Sequence, residues 1–271
     1  MSGESNTHLD LGKGFTTSLF RSEGKVALIM GGRGDLARAM GATLADLGCA
    51  VAFASRKVAD CEEIAQDIAA RFGTPTLGLQ CDIANEDAVA ATVCEVVEKL
   101  GGLHILVNNA GASWWGLPQE IPVAGFRKVM DVNVTGTFLS SRHAARHMIE
   151  HGGGSIINIA SVGAFISYRP EDGQVVPYTT SKAAIVHLTA DLAAQWADHG
   201  IRVNAIAPGS IETGMTETLT DEVRDKLLGG ILLRRLGRPE EICGALALLA
   251  SQAGSFMTGQ TILVDGGQSL A

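Results

Sequence analysis

The sequence predicts a single α/β domain built on a doubly wound parallel sheet of about seven strands, with helices on both faces. Three observations carry this. Short apolar runs alternate with longer segments of helical period from Lys25 to the C-terminal end. The composition, 46% hydrophobic with 33 glycines, suits buried parallel strands joined by tight turns. A chain of 271 residues is long for one domain, but α/β folds of this size keep a single sheet as their core.

Taken in order, residues 26–30 form an apolar run that ends in Gly31-Gly32-Arg33-Gly34, and residues 36–47 then recur with helical period up to Gly48. This is strand, turn, helix. A second strand is predicted over 51–54, a helix over 58–72, a third strand over 76–80, and a helix over 86–100 with acidic residues in its first turn. Residues 105–107 run into Asn108-Asn109-Ala110-Gly111. A helix is predicted from about 124 to 151, a strand over 156–159, a helix from about 177 to 199, and strands over 203–206 and 262–264. Strands alternating with helices in this way require right-handed crossovers. Ligands then bind beyond the carboxyl ends of the strands, so the segments after 30, 107, 159 and 206 share one rim. Residues 1–24 read as a flexible arm ahead of a single domain over 25–271, with no linker or internal repeat.

Charge and composition exclude several functions. A net charge of −8 and a pI near 5.4 repel phosphate backbones and anionic lipids, which argues against nucleic acid and membrane surfaces as partners. No segment has the apolar core of a signal peptide or the length that spans a bilayer, and a cytoplasmic protein is expected. Five cysteines (Cys49, Cys61, Cys81, Cys94, Cys243) without C-x-x-C spacing read as buried thiols in a reducing compartment. His143, His147 and His151 recur every four residues, a spacing able to bind metal. With no carboxylate or cysteine cluster beside them, a solvated or subunit-contact face is preferred and no metal is assigned.

The turn Gly31-Gly32-Arg33-Gly34-Asp35-Leu36-Ala37 follows a strand and opens a helix, the context of a dinucleotide-binding loop. Glycines let backbone approach a pyrophosphate, and the helix N-terminus offers N–H donors and a positive dipole end. Asp35 is expected to cap that helix and point to solvent. Together with downstream segments, the turn resembles that of the short-chain dehydrogenase/reductase family, from about residue 19 to 267. The family's adenine-contacting acid is matched by Asp82, followed by Ile83, and its NNAG signature by Asn108-Asn109-Ala110-Gly111. The catalytic tetrad is matched by Asn133, Ser161, Tyr178 and Lys182. Pro208-Gly209, with Ile211 and Thr213, resembles the turn that holds the nicotinamide carboxamide. The glycine turn departs from the usual T-G-x-x-x-G-x-G: Met30, Asp35 and Ala37 replace the Thr and two glycines, leaving G-x-x-G-x-x-A. The stretch between Ser161 and Tyr178 is longer than usual and should reshape the substrate pocket.

The resemblance implies a single-domain Rossmann-type fold and hydride transfer between a nicotinamide cofactor and a secondary alcohol or ketone. Tyr178 and Lys182, four apart on one helix face, suit this chemistry. A nearby ammonium and the nicotinamide's charge should lower the phenol's pKa toward that of a usable base. Tyr178 is then general base in oxidation and general acid in reduction, with Ser161 bonding the substrate oxygen. By resemblance Lys182 also holds the nicotinamide ribose, and Asn133 positions a water in the proton relay. Trp114, Trp115, Phe165, Tyr168 and Met215 are candidates to line the substrate pocket, with packing or a subunit interface as the alternative for each. The second strand ends in Ser55-Arg56-Lys57 with no acid to bond ribose hydroxyls, so NADP(H) is preferred over NAD(H). Ser55, Arg56 and Arg33 are the expected phosphate contacts. A homo-oligomer, a tetramer by resemblance, is expected from the apolar C-terminal part. Two other readings are a catalytically silent cofactor-binding scaffold, suggested by the altered glycine turn, and an epimerase or dehydratase, suggested by the G-x-x-G-x-x-A spacing.

Overall fold

A computed structural model describes residues 12–169, 174–213 and 220–271. Its strands are β1 (Val26–Met30), β2 (Ala50–Ser55), β3 (Thr76–Gln80), β4 (Ile105–Asn108), β5 (Gly154–Ile159), β6 (Ile201–Pro208) and β7 (Thr261–Val264). They form one sheet in the order β3-β2-β1-β4-β5-β6-β7, with every neighbouring pair parallel. The order reverses between β1 and β4, which opens a crevice at the strands' carboxyl ends. The helices are α1 (Phe15–Phe20), α2 (Gly34–Asp46), α3 (Val58–Phe72), α4 (Glu86–Leu100), α5 (Val123–Met130), α6 (Gly136–Glu150), α7 (Val176–Trp196), α8 (Asp221–Gly229) and α9 (Cys243–Ala250).

Pleating sends alternate strand residues into two cores. Ala27 and Ile29 of β1 join Met40 and Leu44 of α2, Ile64 and Ile68 of α3 and Leu246 of α9. Leu28 and Met30 join Val93 of α4, Met148 of α6 and Leu192 of α7. Both faces are therefore dry, which is why β1 reads as an unbroken apolar run. Each large side chain buried this way contributes about 1.5–3 kcal/mol of transfer free energy.

One polar network crosses the second core. The Asn108 amide donates to Ser141 Oγ and Asn158 Oδ1, each at 2.9 Å, and its carbonyl oxygen accepts from Ser140 Oγ at 2.6 Å. Asn158 in turn donates to Thr189 Oγ1 at 2.9 Å. These five residues are buried. They tie β4 and β5 to α6 and α7 with every amide oxygen satisfied, as buried polar groups must be.

Several elements differ from the sequence pattern. The helix expected over 124–151 is broken by a π-helical turn, Asp131–Thr135. Its inward positions Gly125, Val129, Asn133 and Thr137 are spaced by four. A 3.6-residue helix drifts out of phase with that spacing, and the wider turn restores it. The helix α9 is apolar all round and so carries no periodic signal, although only Leu246, Leu249 and Ala250 are buried. The short helix α1 lies within the segment expected to be an arm. Cys94 is exposed on α4 and Cys243 half-buried, so only Cys49, Cys61 and Cys81 are the buried thiols expected.

The histidine face is solvated only in part, with His151 exposed and His143 and His147 half-buried. His147 Nε2 accepts from the Leu103 N–H at 3.3 Å, and its ring stacks on His151 with centroids 4.0 Å apart. His143 packs 3.6 Å from Glu86 of α4. Among the described residues no group of His, Cys, Asp and Glu could hold a metal ion.

Candidate active site

The glycine turn is shaped by contacts that leave no room for side chains. A Cβ at Gly31 would stand 2.4 Å from the Ala110 nitrogen, and one at Gly32 2.7 Å from the Ala54 nitrogen. Both glycine N–H groups donate to Ala54 O, at 2.9 and 3.0 Å. The Asn109 side chain donates to Gly31 O at 2.8 Å, locking the loop after β4 to the turn. Gly34 has a φ of 80°, which opens the backbone toward space with nothing within 4 Å of an added Cβ.

Asp35 is not the helix cap. The capping position falls on extended Arg33, whose side chain makes no capping hydrogen bond, and Asp35 sits one turn position further in. There it is exposed and borders a surface cleft with Arg38, Arg71 and Glu240. By contrast, Asn85 caps α4 through the Ala88 N–H at 3.0 Å. The N-cap residue of α2 thus supplies no side-chain cap, and the loop beside it is open at Gly34, as a pyrophosphate requires. Leu36 packs against the core beneath.

At the end of β2 the single Ser55 proton is already committed. Its hydroxyl donates to Lys57 O at 3.0 Å and accepts from the Lys57 N–H at 3.2 Å and the Cys61 thiol at 3.1 Å. Ser55 therefore braces the turn into α3, and to donate to a phosphate its hydroxyl would have to turn away from Lys57 O. Arg56 is exposed and forms no ion pair among the described residues, whereas Arg33 lies 3.5 Å from Asp60 in the first turn of α3. Across the crevice, Asp82 is exposed and accepts from the Ala84 N–H at 3.1 Å, and Ile83 is buried against Gly136.

Asn133, in the π-helical turn, is held on three sides. Its oxygen accepts from the Ala112 N–H at 2.7 Å, and its amide donates to Ala112 O at 3.0 Å and Ser181 Oγ at 2.8 Å. Ser181 donates to Tyr178 O at 2.6 Å, so Asn133 is coupled to the first turns of α7. Lys182, buried, donates to Ile159 O at 2.7 Å at the end of β5. Burial holds its pKa down to about 8. An ammonium has three protons, so two remain beyond the bond to Ile159; Nζ lies near Gly111, where an added Cβ would stand 3.9 Å from it. The same Nζ lies 5.6 Å from the Tyr178 ring centroid.

The Tyr178 phenol is hydrogen-bonded to Ser161, whose oxygen also accepts from the Gly163 N–H at 3.1 Å. Burial raises the phenol above its ordinary pKa, and the Ser161 bond opposes this. The expected lowering combines the Lys182 ammonium with the charge of a bound nicotinamide; in the chain by itself burial is the larger influence on the phenol.

The candidate substrate residues fall into two groups. Tyr168 approaches Gly163, and burial first and then nearby Tyr178 raise its pKa. Phe165 is 45% exposed at the mouth. Trp114 packs on Gly125 of α5, with 2.6 Å from an added Cβ to its ring, while Trp115 is 71% exposed. Met215 lies outside the described residues. On the β6 side, Gly209 donates to Val264 O at 3.0 Å, and Ile211 bridges to Gly237, carrying the chain into Thr213. Sequence reasoning missed Ser181, Asn158 and Gln268, whose side-chain oxygen accepts from the Ser210 N–H at 2.9 Å. Lone polar residues inside apolar or helical segments gave no signal for them.

The sequence matches the family described as enoyl-(acyl carrier protein) reductase over residues 33–269. It is 35% identical over 245 residues to 3-oxoacyl-(acyl-carrier-protein) reductase of Aquifex aeolicus, covering 90% of this chain and 97% of that relative. Among solved structures, a short-chain type dehydrogenase/reductase from Mycobacterium marinum superposes with a TM-score of 0.86 at 38% identity, covering 94% of this chain and 99% of the other. A gluconate 5-dehydrogenase from Burkholderia cenocepacia, in complex with NADP and tartrate, gives 0.88 at 32% identity with the same coverage. No helix among the described residues is long and apolar enough to cross a membrane.

Proposed function

The chain belongs to the short-chain dehydrogenase/reductase family and is a nicotinamide-dependent oxidoreductase of alcohol or carbonyl groups, and from this premise we propose that Tyr178 is its general acid and base. The observation that carries this is the meeting of the Tyr178 phenol, the Ser161 hydroxyl and the buried Lys182 ammonium at the carboxyl end of β5. A bound nicotinamide supplies the hydride acceptor or donor. In oxidation Tyr178 takes the proton of the substrate hydroxyl; in reduction it returns that proton to the carbonyl oxygen. Ser161 donates to the same oxygen and stabilises the charge that develops on it. Lys182 uses its spare protons on the cofactor ribose, and Asn133 fixes the loop through Ala112 and positions a water for proton exchange.

Cofactor binding is assigned to Gly31, Gly32, Arg33, Gly34, Asp35 and Leu36 at the pyrophosphate, Asp82 and Ile83 at the adenine, Asn109 to Gly111 along the ribose, and Pro208, Gly209, Ile211 and Thr213 at the carboxamide. NADP(H) is preferred over NAD(H), because Arg56 is exposed without an ion pair and no acid ends β2. The NADP complex of the Burkholderia relative agrees with this. Tyr168, Phe165 and Trp114 bound the substrate side.

The chain works as a cytoplasmic homotetramer; exposed Leu263 on the edge strand and Leu270 beside it support association, and light scattering that reports a monomer at micromolar concentration refutes it. The decisive test of the mechanism is Tyr178→Phe. Turnover falls at least a hundredfold while cofactor affinity stays within about twofold, since the ring and its packing remain. A variant that keeps most of its activity removes Tyr178 from the chemistry.

A further inference from the structure

We propose that Asp60 is a specificity-determining residue that restrains the preference for a 2′-phosphorylated cofactor by holding Arg33 in an ion pair between the glycine turn and α3. The inference rests on the cofactor reading above and adds a residue that no sequence pattern singled out.

The end of β2 carries four charged groups close in sequence or space: Arg33 on the glycine turn, Arg56 and Lys57 after the strand, and Asp60 in the first turn of α3. With the buried Ser55 hydroxyl directed at Lys57 O, the charged side chains are the more exposed groups at this end of the strand. Arg33 already has a partner. Its guanidinium lies 3.5 Å from the Asp60 carboxylate, with the two side chains 53% and 44% exposed. The pair spans two elements, from the cap of α2 to the start of α3, and so lies over the turn that Ser55 and Cys61 brace.

An ion pair this exposed is weak and exchangeable, so a phosphate dianion can draw Arg33 away. Doing so leaves the carboxylate beside the dianion. Repulsion between them and the loss of the pair both count against NADP(H), and neither touches NAD(H), which has no phosphate there. Asp60 also favours the α3 dipole, which any chain carrying an acid in that turn gains regardless of ligand. Arg56 has no such partner and attracts the phosphate without hindrance. The site is thus built from one unrestrained and one restrained arginine, which keeps NAD(H) within reach of an enzyme that favours NADP(H).

Fluorescence titration of the full chain with NADPH and NADH, for wild type, Asp60→Asn, Asp60→Glu and Arg33→Met, tests this. Asp60→Asn should tighten NADPH about threefold to tenfold and leave NADH within twofold, with the gain shrinking in high salt. Asp60→Glu, which keeps the charge, should stay near wild type. In an Arg33→Met background the gain from Asp60→Asn should fall by at least half, because the restrained partner is gone. If NADPH is preferred in the wild type but Asp60→Asn weakens it, Asp60 positions Arg33 for the phosphate and the proposal is wrong. An equal change for both cofactors also overturns it, as a general effect on the fold. Equal affinity for both cofactors in the wild type, unmoved by Arg56→Asp, removes the cofactor reading itself.

Discussion

Replacing Asn108 with alanine removes the centre of the buried network between β4, β5, α6 and α7. Three hydrogen bonds disappear, to Ser141, Asn158 and Ser140. The Ser140 hydroxyl still reaches Gly136 O at 2.9 Å and Thr137 O at 3.1 Å, so it is not stranded. Asn158 Oδ1 and Ser141 Oγ lose the donor that satisfies them, and both residues are fully buried. Each buried group left unpaired costs about 1–3 kcal/mol, giving a loss of about 2–6 kcal/mol before any collapse of the cavity. Against a typical total of about 5–15 kcal/mol, the variant should fold but with a strongly lowered urea midpoint and an unchanged slope. Midpoints must be compared at one protomer concentration, because association stabilises. A loss under about 1 kcal/mol would show that water or side-chain rearrangement satisfies the network without Asn108, and the accounting of its bonds would fail.

Two further outcomes follow from the geometry. Arg56→Asp places an acid where the exposed arginine stood, so the Michaelis constant for NADP(H) should rise by an order of magnitude or more and the preference turn toward NAD(H); kinetics with both cofactors read this, and an unchanged ratio refutes it. His104 is the second: its Nδ1 accepts from the Val26 N–H at 3.0 Å, and burial, then Lys25, His147 and His151, hold its pKa below the ordinary 6.5. A base held neutral by the fold contributes its full stability above pH 6.5 and loses it as pH falls from there through the depressed value. His104→Asn, which offers an uncharged acceptor, should flatten this part of an acid unfolding curve, and identical curves for both proteins would exclude His104 as its source.

The sheet was legible because its strands are buried on both sides and therefore read as apolar runs bounded by glycine turns. The tetrad was legible as spacing: Tyr178 and Lys182 share a helix face whatever surrounds them. What escaped was context. Ser55 looks like a free phosphate donor until the turn it braces shows its hydroxyl directed at Lys57 O. Asp35 looks like a cap until the extended residue proves to be Arg33. The pKa of Tyr178 could not be read from its spacing to Lys182, since burial of the phenol, which raises it, depends on what packs around the ring. Asn158 and Ser181 sit inside an apolar strand and a helix, where a polar residue carries no label until its partners are known.

The π-helical turn at Asp131–Thr135 has a consequence for how this chain tolerates change in length. It holds one residue more than an ordinary helix needs over the same arc, and the wider turn absorbs that surplus. Deleting a single residue there would restore the ordinary hydrogen-bond ladder and leave α6 close to its present rotation. Ser140 and Ser141 would keep their bonds to Asn108, and Met148 its place in the core. What the deletion removes is the wide turn itself, and with it the position from which Asn133 holds Ala112 and Ser181. The length of this segment is therefore set by the site it carries and not by the packing of the helices on either side.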